Sequence, residues 1–529
     1  MGNSTKPAGR FSRMADMIRH HAAERGDKVA LIFEGRETRY RQLDDTASRI
    51  ANAIIAEGVR PQGRVAILAK NTDAFFELYY GACKAGAVLV PVNFRLAPPE
   101  VAFVVNDAQA DLLFVGPDFH ELVEGIRDDL TTVQKIVALP DLDGTGHGVW
   151  PGYADWHGAR DAADPRRDGA PHETCIQVYS SGTTGHPKGV EITHDNFMTL
   201  FAVAIEDWGN WRVDDVSMVA MPLFHVAGNE WGFVAFYMGA TNVLMAEVDP
   251  AAILRAIPEY GITKTLFVPA VILFLLQTPG CRETDFSSLE SVLYGASPIP
   301  LPVLQEAVEV IGCDFAQVYG LTETSGAVTY LPPEDHDGGE RMKSCGKPMR
   351  SARIRVVDDD GDDCPPGTVG EIIVAGGQIM KGYWNLPEES AKAIRGDWFH
   401  SGDAGYFDAD GYLYIHDRLK DMIVSGGENI YPAEIESTMA AHPDVADIGV
   451  IGIPDDKWGE TVLAIIVPRD PSSPPGEAAL DAFARERLAG YKVPRRYAFT
   501  DALPRNPSGK ILKRELRKPY WEGQERQVH

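Results

Sequence analysis

The sequence predicts an α/β fold: a large N-terminal body of two αβ subdomains on mixed or parallel sheets, a small β-barrel-like subdomain, and a small α+β domain at the C-terminal end. Three observations carry this. The chain has 529 residues, and at roughly 100–200 residues per domain that length holds several packed units. Helix-period segments alternate with short apolar runs in two separate stretches, the rhythm of βαβ units on a parallel sheet. From about Lys347 a strand–turn–strand texture replaces that rhythm, and after DRLKD (417–421) a further helix-and-strand unit begins. Residues 1–417 are therefore assigned to the body and 418–529 to the C-terminal domain.

In the first stretch, RQLDDTASRIANAIIAEGV (41–59) and FFELYYGACKAG (75–86) read as helices, and RVAILAK (64–70) and AVLVPV (87–92) as strands. Residues 141–172, rich in Asp, Gly, Pro and His without periodicity, read as a surface excursion. The rhythm returns between Asp195 and Gln317, with TNVLMAE and TKTLFVPA as strands and DPAAILRAIPEY as a helix. ARIRVVDDDGDDCPPGTVGEIIVAG (352–376) reads as strand, turn, strand. Its acidic cluster Asp358–Asp363 lacks the spacing and terminal Glu of a calcium loop and is assigned to a hairpin turn. In the last unit IYPAEIESTMAAH and ALDAFARERLAG are helices, and ADIGVIGIP and TVLAIIVPR are strands.

Composition excludes several classes. A net charge of −26 repels phosphate backbones and anionic lipid, so nucleic acid is not expected as a partner. The six cysteines show no CxxC pair and read as reduced thiols. No secretory signal is visible in the first 21 residues. The longest apolar run, Leu266–Leu276, has 11 residues against the ~20 that span a bilayer, and is assigned to buried core. No integral membrane association is expected, and a cytoplasmic location is.

The sharpest motif is YSSGTTGHPKGV, Tyr179–Val190, fed by the apolar run CIQVY. Small residues let successive backbone N–H groups approach phosphate oxygens, and the hydroxyls add donors, which makes Ser180, Ser181, Gly182, Thr183 and Thr184 candidate phosphate contacts. Lys188 adds a cation on a flexible stem. A Walker loop would need Gly before that lysine and Ser or Thr after it, where Pro187 and Gly189 stand.

The stretch resembles the phosphate loop of the adenylate-forming superfamily: acyl-CoA synthetases, peptide-synthetase adenylation domains and firefly-type luciferases. Further segments match that family's motifs in its order, from about residue 30 to 518. PLFH (222–225) resembles the mouth of the acyl pocket, with His225 between the acyl site and the thiol tunnel. YGASP (294–298) resembles the strand end facing adenine, where Gly295 and Ala296 admit a flat base. QVYGLTE (317–323) implies Gln317 at the nucleotide, Tyr319 against adenine, Thr322 on the α-phosphate, and Glu323, with Thr183, on Mg²⁺. WFHSGD (398–403) and DRLKD imply that Asp403 and Arg418 hold the ribose and that Lys420 is the hinge of a mobile C-terminal domain. SGGENI (425–430) implies that Ser425, Gly426 and Gly427 line the CoA tunnel, and PRNPSGK (504–510) that Lys510 is the adenylation lysine.

The implied activity is an ATP-dependent ligation in two half-reactions, acyl-AMP formation and then transfer to CoA after the C-terminal domain turns about Lys420. A carboxylate attacking a phosphate needs cations placed beforehand. Lys188, Lys510 and a Mg²⁺ on Glu323 fill that role, and Thr322 and His225 complete the catalytic set. The pocket region, His225–Phe236 with Gly295, Tyr319–Gly320 and Thr324–Thr329, is mostly apolar and aromatic. Val226, Asn229, Trp231 and Gly320 are its assigned lining, and Trp231 either shortens it or packs in the core.

DRLKDMIVSGGENIYPAEIE most resembles bacterial fatty-acyl-CoA synthetases, so a fatty or related apolar acid is expected. Aryl, sulfur-containing or steroid-derived acids are alternatives. His225 stands where amino-acid-activating relatives usually carry Asp, although Glu230 lies close by. No carrier-protein unit follows in the chain, which points to free CoA as acceptor. A carrier-protein-directed enzyme and a non-catalytic nucleotide-binding protein are the other readings, the latter opposed by the presence of Lys188, Glu323, Asp403, Arg418 and Lys510 together. Homodimers are common among such relatives. Finally, Arg485–Lys518 holds 11 Lys+Arg against 3 Asp+Glu, an island of positive charge expected to meet ATP and CoA.

Overall fold

The computed structural model describes residues 10–140, 149–180, 187–297, 299–337, 339–418, 421–425, 428–430, 432–455, 459–488, 490–505 and 510–522; for residues 416–418, 424, 428, 429 and 459 it describes the backbone alone. The first βαβ stretch builds a seven-stranded sheet. Arg64–Leu68 lies between Val88–Val92 and Ala110–Val115, all parallel, with Lys135–Ala138 beyond. On the other side Thr174–Ser180 adds in parallel, then Lys188–Thr193 and Gly382–Tyr383 in antiparallel. RVAIL and VLVPV are buried along their whole length, as strands covered on both faces require. The helix Tyr40–Ala56 packs on the helix Asp73–Ala85 and buries Leu43, Ala47, Ile50 and Ile54, a stripe at three- and four-residue spacing.

The second stretch builds a nine-stranded sheet. Its parallel centre runs Asp314–Leu321, Ser291–Gly295, Lys264–Phe267, Val216–Val219, Thr241–Leu244 and Val29–Phe33, with antiparallel strands at both edges. TKTLFVPA is not one strand, as the sequence led us to expect. The strand ends at Phe267, and Pro269 opens the helix Pro269–Gln277, because proline lacks the N–H a ladder needs while its fixed φ suits a first helical turn. Among the described residues no helix is long and apolar enough to cross a membrane.

Part of the expected surface excursion is also corrected. Trp150, Tyr153 and Trp156 are buried, Trp156 packing on Phe114 with ring centres 4.9 Å apart. Tyr153 donates to Glu77 at 2.9 Å and the Trp156 indole to Glu57 at 3.0 Å. Further on, Asp164 and Asp168 both hold Arg19, at 2.7 Å each.

The small β unit is an antiparallel sheet of Ala352–Val357, Gly370–Gly376, Trp398–Phe407, Ile394–Arg395 and Leu413–Arg418. Its acidic segment is the expected turn: Asp358 Oδ1 accepts from the N–H groups of Asp360 and Asp362, and Gly361 takes φ +85°. A last sheet pairs Val445–Asp455, Gly459–Pro468, Ile423–Ser425 and Glu428–Ile430, and Arg496–Phe499 joins it in parallel. Ile423, Ile435, Val450, Val462 and Leu480 form its separate core. None of the six cysteines is in a disulfide.

Candidate active site

Three of the motif segments leave the C-terminal ends of parallel strands, the edge at which open α/β sheets hold ligands. Thr174–Ser180 leads into the phosphate loop, Ser291–Gly295 into Ala296, and Asp314–Leu321 into the short turn Thr322–Thr324. The first strand belongs to one sheet and the other two to its neighbour, so the site lies where the sheets meet.

Glu323 is the point of contact. Its Oε1 accepts from Ser180 Oγ at 3.4 Å and from the Tyr383 hydroxyl at 3.0 Å. Its backbone carbonyl takes the N–H of Met380 at 2.8 Å, so both ends of the residue are fixed. No hydrogen bond to Oε2 occurs among the described residues. No group of three or more His, Cys, Asp or Glu side chains close enough to share an ion is found among them either. One oriented hard carboxylate without a protein cage suits Mg²⁺, which keeps several waters and completes its shell with substrate phosphates.

Lys188 opens the next strand and holds Glu389 Oε2 at 2.7 Å, with its ammonium 5.0 Å from the centre of the Tyr383 ring. Hydrogen bonds from Lys188 and Lys392, with their charges, hold the Glu389 carboxyl down to about 2. Tyr383 and Glu389 thus join two predicted site residues, Glu323 and Lys188, into one network. Neither was singled out in the sequence: Glu389 lies 201 residues from its lysine, and nothing local marks either side chain.

At the nucleotide end, Tyr319 donates to Asp403 Oδ2 at 2.7 Å and both are buried. Burial, reinforced by that carboxylate, pushes the Tyr319 hydroxyl far up, so it stays a donor. Antiparallel pairing sets Asp403 opposite Arg418, which brings the two predicted ribose residues to one register position. A Cβ at Gly295 would lie 2.2 Å from the Val318 carbonyl oxygen, and Ala296 adopts φ +68°, so this strand end tolerates little side chain. Gln317 donates to Cys345 Sγ at 3.6 Å, while its Oε1 has no partner among the described residues. Thr322 is buried in the turn.

His225 caps the helix Val226–Met238, its Nδ1 accepting the Ala227 N–H at 3.3 Å. Burial holds the imidazole down to about 4; it is neutral at pH 7, and with Nδ1 accepting, the proton sits on Nε2. Val226 and Asn229 are buried on the first turns of this helix, and Asn229 donates to the Leu223 carbonyl at 3.2 Å. The Trp231 ring packs on Trp211 and Trp208, at 5.0 and 6.4 Å, and its indole donates to the Met218 carbonyl. These contacts fit the core-packing alternative for Trp231. Gly320 lies so close to the returning strand that a Cβ would fall 1.9 Å from the Gly326 oxygen. The polar side chains of this region are more numerous than its sequence texture led us to expect: Asn229, Glu230, Ser325 and Thr329 are all buried.

Ser181, Gly182, Thr183, Thr184, Lys420, Gly426 and Gly427 lie outside the described residues. Ser425 is buried and pairs in register with Glu428 and Gly459. Lys510 is half-buried, next to the bridge between Arg505 and Ile511. The basic island is less bare than its composition implied. Arg485, Arg487, Lys492, Arg505, Lys513, Arg514 and Arg517 each hold a carboxylate of this same unit or its border, from Asp421 to Glu515.

Residues 18–384 match the AMP-binding enzyme family and residues 434–510 the AMP-binding enzyme C-terminal domain. The chain is 41% identical over 514 residues to a fatty acid–[acyl-carrier-protein] ligase of Streptomyces coeruleorubidus, covering 96% of each. It is 38% identical to a feruloyl-CoA synthase of an Amycolatopsis species, covering 96% of this chain and 98% of that one. Among solved structures, an anthranilate CoA ligase in complex with anthranoyl-AMP superposes with a TM-score of 0.88 at 28% identity, covering 96% of this chain and 97% of that one. With strand ends, motif order and both matches in accord, this chain belongs to the AMP-binding enzyme family, within the adenylate-forming superfamily.

Proposed function

We propose that the chain is a cytoplasmic AMP-forming acid–thiol ligase that activates an acid with an apolar body, fatty or aryl, and passes it to CoA. The observation that carries this is Glu323, whose Oε1 is fixed by Ser180 and Tyr383 at the mouth of the phosphate loop. In the first half-reaction an acid carboxylate oxygen attacks the α-phosphorus of ATP and the bond to pyrophosphate breaks. A Mg²⁺ on Glu323 and Thr183 would neutralise phosphate charge. Tyr319 lies against adenine, Asp403 and Arg418 hold the ribose, and Thr322 donates to the α-phosphate. Lys188 serves the pyrophosphate side, and Lys510 bridges the two anions.

In the second half-reaction the sulfur of CoA attacks the acyl carbonyl carbon and AMP leaves. The C-terminal domain beyond Lys420 turns about that residue between the two, removing Lys510 and bringing Ser425, Gly426 and Gly427 to the thiol path. His225, neutral with its proton on Nε2, borders acyl site and tunnel and offers a donor there without adding charge.

A second acceptor, the thiol arm of a carrier protein, is favoured by the similarity to the Streptomyces ligase. Pyrophosphate release measured over a panel of fatty and aryl acids with ATP and Mg²⁺, with thioesters read by mass spectrometry in the presence of CoA or of a pantetheinylated carrier protein, tests both. CoA thioesters are expected. Acyl-AMP that turns over only with the carrier protein transfers the assignment to that acceptor, and no pyrophosphate with any acid rejects the ligase.

A further inference from the structure

The two segments assigned to the acyl pocket meet at one residue pair, Glu230 on the helix Val226–Met238 and Gly326 at the start of the strand Gly326–Leu331. Glu230 is 5% exposed. Its carboxyl group lies directly on the Gly326 backbone: a Cβ there would fall 2.1 Å from Oε2, 2.3 Å from Cδ and 2.4 Å from Oε1. Only a glycine leaves room for the carboxyl, and its φ of +124° is one that other residues rarely adopt.

What surrounds this carboxyl is unusual for a structural group. Burial pushes it well above the ordinary carboxylate range, and the one influence favouring its charged form is the backbone N–H of Ala327; no Lys, Arg or His contributes. Among the described residues Oε1 has no hydrogen-bond partner. The hydroxyl of Ser325, the residue before Gly326, is also buried without a partner, at a left-handed φ of +55°. Gln378 donates its amide to the carbonyls of Thr324 and Ala327, at 3.3 and 2.6 Å, and leaves Oε1 unpaired. Buried polar groups are nearly always satisfied, and a buried acid is ordinarily paired with a base. Among the described residues, Glu230 Oε1 and Ser325 Oγ in the acyl segments are unpaired, as is Oε1 of Gln378, whose amide is bonded beside them, and the Glu230 carboxyl is a group that a donor would satisfy.

We propose that Glu230 is a specificity-determining residue that receives a hydrogen-bond donor, a hydroxyl or an ammonium, carried by the body of the acid substrate. The inference rests on the ligase reading above and adds the substrate's polar group to it. Glu230 stands five residues beyond His225 on one helix, which at 1.5 Å per residue is about 7.5 Å along the axis. With the reacting carboxylate at the His225 end, as the ligase reading has it, the proposal puts the donor on a compact acid and not at the end of a long tail. An ammonium would keep Glu230 ionised and pair with it; a hydroxyl would donate to Oε1 with either protonation state accepting.

The test uses the full chain and three acids of equal length: hexanoate, 6-hydroxyhexanoate and 6-aminohexanoate. Dissociation constants from calorimetry and kcat/KM from pyrophosphate release are measured for each. One donor-bearing acid is expected to be preferred over hexanoate by roughly tenfold or more, since a site built for a polar group rejects the analogue lacking it. Glu230→Leu should bring that ratio to within about twofold and improve hexanoate. Glu230→Gln keeps the shape and an acceptor, and so remains informative if the leucine variant does not fold; it should abolish a preference for the ammonium but retain most of one for the hydroxyl. A merely structural Glu230 would shift all three acids together, and that result, equal binding of the three by the unmodified chain, or binding of none, overturns the proposal. Donor-selective binding without pyrophosphate release would instead leave the subsite standing and remove the ligase reading.

Discussion

Gly326→Ala measures how tightly the acyl end of the site is built. Two costs add. A side chain at φ +124° enters a region nearly reserved for glycine, worth about 1–3 kcal/mol. The new Cβ would also lie 2.1–2.4 Å from the Glu230 carboxyl atoms, and moving a packed group aside costs typically about 1–3 kcal/mol. The sum is about 2–6 kcal/mol in the native background. In a Glu230→Ala background the second cost vanishes and the first remains, so a double-mutant cycle should give a coupling of about 1–3 kcal/mol between the two positions. Urea unfolding of the four proteins, followed by tryptophan fluorescence, reads it. Equal costs in both backgrounds would mean that Glu230 does not occupy the space over Gly326. A neutral Gly326→Ala would refute the backbone argument as well.

Other consequences are open to measurement. Glu389→Gln releases Lys188 from its 2.7 Å ion pair and should lower the KM for ATP severalfold; a higher KM would show instead that Glu389 positions the lysine. Lys510→Ala should abolish acyl-AMP formation while thioester formation from supplied acyl-AMP largely survives, and equal loss of both half-reactions would reject its assigned role. Burial, with the charge of Asp73, pushes the Glu77 carboxyl up to about 7 from 4.5. The folded chain therefore binds more protons than the unfolded one between those values, and stability falls as pH rises through that window. At about 1.4 kcal/mol per unit this amounts to about 3 kcal/mol, which Glu77→Gln should recover; parallel stability–pH curves for the two proteins would refute it.

What could be read in the sequence was local. The phosphate loop needs small residues in a row, and QVYGLTE and WFHSGD each place their chemistry within seven residues. Strand–helix alternation was legible because RVAIL and VLVPV are apolar throughout, as doubly covered strands must be. What escaped joins distant segments. Tyr383 meets Glu323 across 60 residues, and the Lys188–Glu389 pair spans 201. Trp150, Tyr153 and Trp156 sit among Gly, Pro and His that read as surface, yet Tyr153 and Trp156 pack on Phe114 and Trp150 on His120. Pairing at the C-terminal end escaped for the same reason: among the described residues at least seven of the eleven cations of Arg485–Lys518 hold carboxylates, most contributed by other stretches of the chain.

The placement of the first strand bears on how the chain assembles as it is made. Val29–Phe33 pairs with Thr241–Leu244, more than 200 residues downstream, and Arg19 on the preceding helix waits for Asp164 and Asp168. The strands from Arg64 to Ala138 pair with one another, and Val88–Val92 gains its second neighbour at Thr174–Ser180. During vectorial synthesis the neighbouring sheet can therefore consolidate first, while Val29–Phe33, paired on one side with Arg36–Arg39, keeps its other edge open until residue 244 has left the ribosome. Long-range closure of this kind is slow and leaves apolar edges open for its duration. At about 5–20 residues per second, that is roughly ten to forty seconds in which VALIF has only the short strand Arg36–Arg39 beside it and its other edge open.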